Sequence, residues 1–155
     1  MKKSKLPTRK SACPLNVALE MIGDRWSLLV VRDLMFKDRS TYKELLGAEE
    51  GIATNLLADR LQRLESHDII VKEPDPADGR KLIYRLTPKG IDLAPVLVEM
   101  MIWSAQHEET AAPPETIRTM RENRQRFIFN VKKRWAKSTV KKETVTQNPR
   151  GKSAK

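Results

Sequence analysis

The chain has 155 residues, 39% hydrophobic and 32% charged, which suits one domain with a buried core plus an extension. With six glycines among these residues, helix should prevail over strand. No apolar run approaches the roughly 20 residues of a membrane span, and a single cysteine excludes an intrachain disulfide and suits a reducing, cytoplasmic setting.

Residues 1–11 form a basic arm without apolar periodicity, expected to be flexible and, lacking an apolar run behind it, unlike a secretory signal. Residues 14–22 read as a short helix with Leu15, Ala18, Leu19 and Ile22 on one face. Gly23 stops it, and Asp24 is placed to cap a second helix over 25–36. There Trp26, Leu29, Val30 and Leu34 fit a buried face, and Leu28 and Val31 on the other side make the helix central. Asp33 and Asp38 read as surface positions. After a turn, Thr41-Tyr42-Lys43-Glu44 matches a capping box opening a short helix over 42–46 that ends near Gly47.

The stretch 51–68 carries Leu57, Leu61 and Leu64 at i, i+4 and i+7, so one face is apolar. Opposite lie Asn55, Asp59, Gln62 and Ser66, a polar stripe without the Glu/Lys pairs usual on a merely solvated helix. Two strand-like runs follow, 69–73 and 82–86, around the tip PDPADGRK. A short helix, a turn, an amphipathic helix and a basic-tipped hairpin make a winged helix-turn-helix, mainly α with a small β-hairpin wing. In such a fold the second helix enters the major groove of double-stranded DNA and the hairpin tip reaches the neighbouring backbone or minor groove.

Thr87-Pro88 opens another helix, 88–108, carrying Leu93, Val96, Leu97, Met100 and Trp103, with a kink expected at Pro95. Its apolar residues exceed what one small neighbour can cover. After the break TAAPPE, Ile117, Met120, Arg124, Phe127, Val131 and Trp135 mark one face of a further helix, basic on its other sides. From Lys137 the chain turns polar and is expected to be disordered. The division is thus a basic arm (1–11), the winged domain (12–109), a basic amphipathic extension (110–136) and a basic tail (137–155).

Charge is unevenly placed. Residues 110–155 hold 13 basic groups against 3 acidic, whereas 11–109 hold 12 against 17, or −5. The net +10 therefore points to nucleic acid through the ends of the chain, not its centre. Three readings of the basic extension stay open: a packed helix with a solubilising tail, a helix lying on anionic lipid, or a docked helix whose lysine-rich end follows DNA phosphates.

In order, Cys13-Pro14, Gly23-Asp24-Arg25-Trp26-Ser27, Tyr42-Lys43-Glu44-Leu45, Ile52, Leu57, Arg60-Leu61, Leu64-Glu65 and Tyr84-Arg85-Leu86-Thr87-Pro88-Lys89-Gly90 resemble the HxlR family of bacterial transcriptional regulators. The likeness covers roughly 12–107 and implies a homodimer, through the first and last helices of the domain, on operator DNA. Leu15, Leu19, Leu93, Val96, Leu97, Met100 and Trp103 would line that interface. Ala53 departs from the serine that many relatives carry ahead of the recognition helix, the wing DPADGRK is closer to that of the related MarR family, and residues 110–155 lie outside the likeness.

The candidate DNA contacts are Thr41, Lys43, Thr54, Asn55, Asp59, Gln62, Arg63, Arg80 and Lys81. Asn55 and Gln62 suit adenine edges, Thr54 a thymine methyl or a phosphate. Asp59 repels phosphate unless it accepts from a cytosine amine or pairs with Arg63. Arg80 and Lys81 can meet phosphate or be held by Asp75 or Asp78. Trp26 and Tyr42 read as core. Cys13 before a helix N-terminus is a candidate redox sensor, as the resemblance also implies, or a small half-buried residue. His67 and His107 are too few and scattered for a metal site, no catalytic constellation is present, and neither an enzyme nor a cofactor is expected. The leading function is sequence-specific repression from an inverted-repeat operator, open to a small-molecule or oxidant effector. The alternatives are a MarR-like regulator released by a small apolar ligand, an architectural DNA binder with tail-driven affinity, and a winged-helix protein adaptor.

Overall fold

The computed structural model describes residues 11–146, with side chains to residue 138. Residues 1–10 and 147–155, most of the expected arm and the end of the tail, lie outside it.

The order of elements is α1 (Pro14–Ile22), α2 (Arg25–Phe36), α3 (Tyr42–Leu46), α4 (Thr54–Ser66), β1 (Ile70–Pro74), β2 (Leu82–Leu86), α5 (Pro88–Ile91), α6 (Ala94–His107), α7 (Pro114–Glu122) and α8 (Arg124–Thr146). The architecture is mainly helical with one antiparallel hairpin, registered Ile70↔Leu86 to Pro74↔Leu82. A bridge from Thr41 to Ile83, and the Tyr84 N–H donating to Ser40 O at 2.7 Å, tie the hairpin to the start of α3.

Local chemistry sets the helix starts. The Asp24 carboxylate accepts from the N–H groups of Trp26 and Ser27, capping α2. At α3 both halves of the capping box form: Glu44 N–H donates to Thr41 Oγ1 at 3.3 Å and Thr41 N–H to Glu44 Oε2 at 2.8 Å. Thr87 Oγ1 accepts from Gly90 N–H at α5 while donating to Asp68 O at 2.7 Å, which satisfies a buried hydroxyl twice. Gly90 stands where a Cβ would lie 2.1 Å from Ile69 O, so only glycine lets α5 approach the wing root this closely.

Leu57, Leu61 and Leu64 of α4 are buried against Val30, Val31 and Met35 of α2, Leu45 of α3, and Ile70 and Leu86 of the wing. This one cluster fixes α4 relative to the hairpin, so the outward face of α4 and the wing tip are held by the same core.

Four expectations change. In α2 the buried set is Ser27, Val30, Val31, Asp33 and Met35, while Trp26, Leu28, Leu29 and Leu34 are half exposed. The two polar members are buried because they are paired: Ser27 Oγ donates to Asp24, and Asp33 accepts from Arg32 and Arg39. Asp33 is therefore no surface residue. The expected single helix over 88–108 is two, α5 and α6; Pro95 falls in the first turn of α6, where its missing N–H costs nothing. The helix expected through 117–135 is also divided, at Asn123. Finally α8 runs to Thr146, past the expected end at 136. No Gly or Pro interrupts 137–146, and a helix anchored by its earlier turns propagates more cheaply than it nucleates.

The extension is packed on the domain. Val131 joins the main core, Ile117 and Met120 pack with Val98 and Ile102 of α6, and Phe127 meets Phe36 with ring centroids 6.4 Å apart. No helix of the described residues is long and apolar enough to cross a membrane.

Candidate nucleic-acid interface

With three leucines of α4 committed to the core, Thr54, Asn55, Asp59, Gln62 and Ser66 point outward and are exposed. The helix begins at Ala53, whose side chain offers no cap, and its first turn is tied to α3 by Tyr42 Oη, which donates to Thr54 O at 2.8 Å. Tyr42 thus links the start of α4 to α3. The side chains of Thr54, Asn55 and Gln62 have no hydrogen-bond partner among the described residues, leaving their donors and acceptors available.

The charged candidates are placed differently. Asp59 pairs with Arg60, not with Arg63. Arg60 also reaches Asp24 at 2.8 Å, linking α4 to the cap of α2, and with Ser27 it holds the Asp24 carboxyl below its usual pKa. Arg63 turns back to donate to Glu20 O in α1, away from the outward stripe. Thr41 is spent in the capping box, and Lys43 is exposed on α3. At the wing tip Asp78 holds both candidates: Arg80 Nε lies 3.0 Å from Oδ1, and Lys81 Nζ 3.7 Å from Oδ2. The Arg80 guanidinium keeps the Asp78 carboxyl below its ordinary range. Arg80 is nonetheless 91% exposed and can be redirected.

Behind this face Arg32, Asp33, Arg39, Glu49 and Glu50 form a connected ion-pair network joining α2 to the α3–α4 turn. Arg32 holds the Glu50 carboxyl down to about 2. The pairs span up to 18 positions in sequence, and nothing in local pattern announces them.

Leu15 and Leu19 of α1 and Val96, Met100 and Trp103 of α6 are exposed, Leu15 at 67% and Trp103 at 64%. Leu97, which lines the same groove as Met100 and Trp103, is only 6% exposed, and Leu93 is half-buried. The groove is open and apolar, about 820 Å³, and lies between α2 and α6, walled also by Leu28, Leu29 and Met101. Cys13 is exposed at the N-terminus of α1, where the backbone amides of Asn16 and Leu15 lower its thiol pKa. No group of three His, Cys, Asp or Glu among the described residues could hold a metal.

Residues 21–112 match the model of the HxlR-like helix-turn-helix family. The chain belongs to that family. Its members are DNA-binding transcriptional regulators, not enzymes. The HTH-type transcriptional regulator YodB of Bacillus subtilis is 34% identical over 106 residues, 68% of this chain and 91% of YodB. The solved reduced form of YodB superposes with a TM-score of 0.53 at 34% identity, over 63% of this chain and 95% of that one. The HTH-type transcriptional regulator sll1512 of Synechocystis is 36% identical over 88 residues, 57% of this chain; the chain spans 64% of the length of sll1512. The family match ends before α8.

Proposed function

We propose that the chain is a homodimeric repressor that reads an inverted-repeat operator with α4 and grips the flanking backbone with its wing. The observation that carries this reading is the free polar stripe of α4, with Thr54, Asn55 and Gln62 unpartnered on a helix held rigidly by the core. Asn55 and Gln62 offer the paired donor and acceptor that an adenine edge requires, and Lys43 and the wing cations serve phosphates. The apolar residues of α1 and α6 supply the two-fold interface, which sets the two copies of α4 roughly 34 Å apart, one turn of DNA. Selection of bound duplexes from a random pool should return two half-sites at that spacing. Asn55→Ala and Gln62→Ala should each lose about 1–3 kcal/mol of discrimination at their own base pairs. A pool that shows no enrichment, or two variants with unchanged preference, overturns the reading.

A thiol response is the second part of the proposal. It is supported by the exposed Cys13 thiol with its lowered pKa, and by similarity to YodB, whose reduced form has been solved. With one cysteine per chain, oxidation joins Cys13 thiols of two chains. Two S–H bonds are lost, one S–S bond forms, and two electrons and two protons pass to an oxidant such as peroxide or diamide. Treatment should weaken operator binding, and Cys13→Ser should abolish the effect; unchanged affinity after verified oxidation of Cys13 refutes it.

A further inference from the structure

The residues that face DNA in this reading are short of free positive charge. Arg60 and Arg63 are engaged by the protein, both wing cations are shared with Asp78, and residues 11–109 sum to −5. A polyanion has to be met from elsewhere, and α8 offers the opposite composition. Between residues 123 and 138 it carries Arg124, Arg126, Lys132, Lys133, Arg134 and Lys137 with no acidic residue. Arg124 and Lys132 are neutralised by Glu99 and Asp92. Lys133 and Lys137 are exposed and lie within ion-pair reach of no described carboxylate; Lys133 rests near the ring of Phe129, 5.9 Å from its centroid.

The anchors of α8 give its direction. It leaves α6 at the Arg124–Glu99 pair, passes α5 at Lys132–Asp92, and reaches the wing root, where Trp135 Nε1–H donates to Leu86 O at 2.9 Å. One residue earlier Arg134 donates to Met35 O at 2.9 Å, at the end of α2 and just ahead of the turn that leads into α3. From Trp135 the helix continues to Thr146, about 16 Å further at 1.5 Å per residue. The strand β2 covers about 13 Å between Leu86 and Leu82, so the overhang matches the wing in length. Lys133 and Lys137 are four apart on one face, and Lys141 holds the next position of that i, i+4 series.

We propose that the C-terminal part of α8 from Lys133 onward, through Lys133, Lys137 and Lys141, is a phosphate-binding arm that engages duplex DNA beside the wing, outside the bases that α4 reads. This rests on the DNA-binding reading above and adds a surface that lies beyond the part of the chain matched to the family. The arm contributes affinity without sequence preference, because phosphates carry no base identity.

The test is a salt titration of the full-length protein on a selected operator and on a random duplex, comparing wild type with Lys133→Gln/Lys137→Gln/Lys141→Gln and with Arg126→Gln. Arg126→Gln removes one positive charge from α8 about 16 Å upstream of Lys137 and reports the effect of general charge, compared per charge removed. The triple variant should bind both duplexes tenfold or more weakly at low salt, with the slope of log K against log salt reduced by about 0.9 for each phosphate left without its lysine. Its preferred operator should not change, and Arg126→Gln should behave as wild type. An unchanged slope in the triple variant, or an equal effect per charge from Arg126→Gln, overturns the arm. The random duplex reads it even if no operator is recognised, whereas loss of operator preference in the wild type counts against α4 alone.

Discussion

At the scale of single residues, Asp78 governs how much charge the wing can present. It lies beneath Arg80 and Lys81 and is held ionised by them, so a phosphate must compete with a carboxylate already in place. Asp78→Asn keeps a side-chain oxygen for the Arg80 N–H, which lies 3.3 Å from Oδ1, and so preserves the turn while removing the charge. The expected result is tighter binding to operator and random duplexes alike, with the salt slope steeper by about 0.9 for each cation released. Titration of both duplexes checks it; affinity unchanged or reduced in a folded variant shows that the wing cations do not reach DNA. Arg63 makes the converse point. On a helical wheel it sits near the outward stripe of α4, yet the length of its side chain lets it bond a carbonyl of α1 instead, and position alone does not give a long side chain's partner.

At the scale of elements, what is legible in the amino-acid order is what is decided within a few residues. Asp24, the Thr41–Glu44 box and Thr87-Pro88 each act on the next turn of chain, and each marks a helix start in the structure. The period of Leu57, Leu61 and Leu64 fixes which face of α4 is buried, and thereby which residues form the candidate reading stripe. The buried face of α2 is not legible in this way, because burial there depends on distant partners. Asp33 can be buried only when Arg39 and Arg32 close on it, and a hydrophobicity pattern counts it as surface. The break between α5 and α6 escapes the pattern for a related reason. A proline within a helical period implies a bend in a continuous helix, but Asp92 already ends one helix and Leu93 begins another, so Pro95 falls in a first turn instead of disrupting one. The docking of α8 depends on Trp135 meeting Leu86, 49 positions earlier. Periodicity shows that α8 has an apolar face, but the surface that covers it is set by tertiary structure.

At the scale of the whole molecule, α1 and α6 carry most of the large hydrophobic side chains that the described residues leave exposed. Leu15 and Leu19 of α1 and Val96, Met100 and Trp103 of α6 are exposed, whereas soluble monomers seldom leave large apolar patches open. In an isologous dimer each of these residues is buried twice, once in each copy, so a modest patch yields a self-complementary interface. In the proposed dimer the same two-fold would place one α4 in each of two half-sites, and affinity for an inverted repeat would then depend on the interface as much as on α4. Sedimentation should show a dimer at micromolar concentration. Leu19→Lys combined with Trp103→Lys introduces two charges per copy at solvent-exposed positions, so the fold of each chain should survive, as helical circular dichroism would report. Across the two-fold the lysines would be desolvated and face one another, at a cost of several kcal/mol. The variant should sediment as a monomer and lose preference for a two-half-site operator over a single half-site, while its binding to random duplex falls far less. A wild type that remains a folded monomer at that concentration, or a monomeric variant that keeps full operator affinity, would show that this face is not the one through which the protein reads its site.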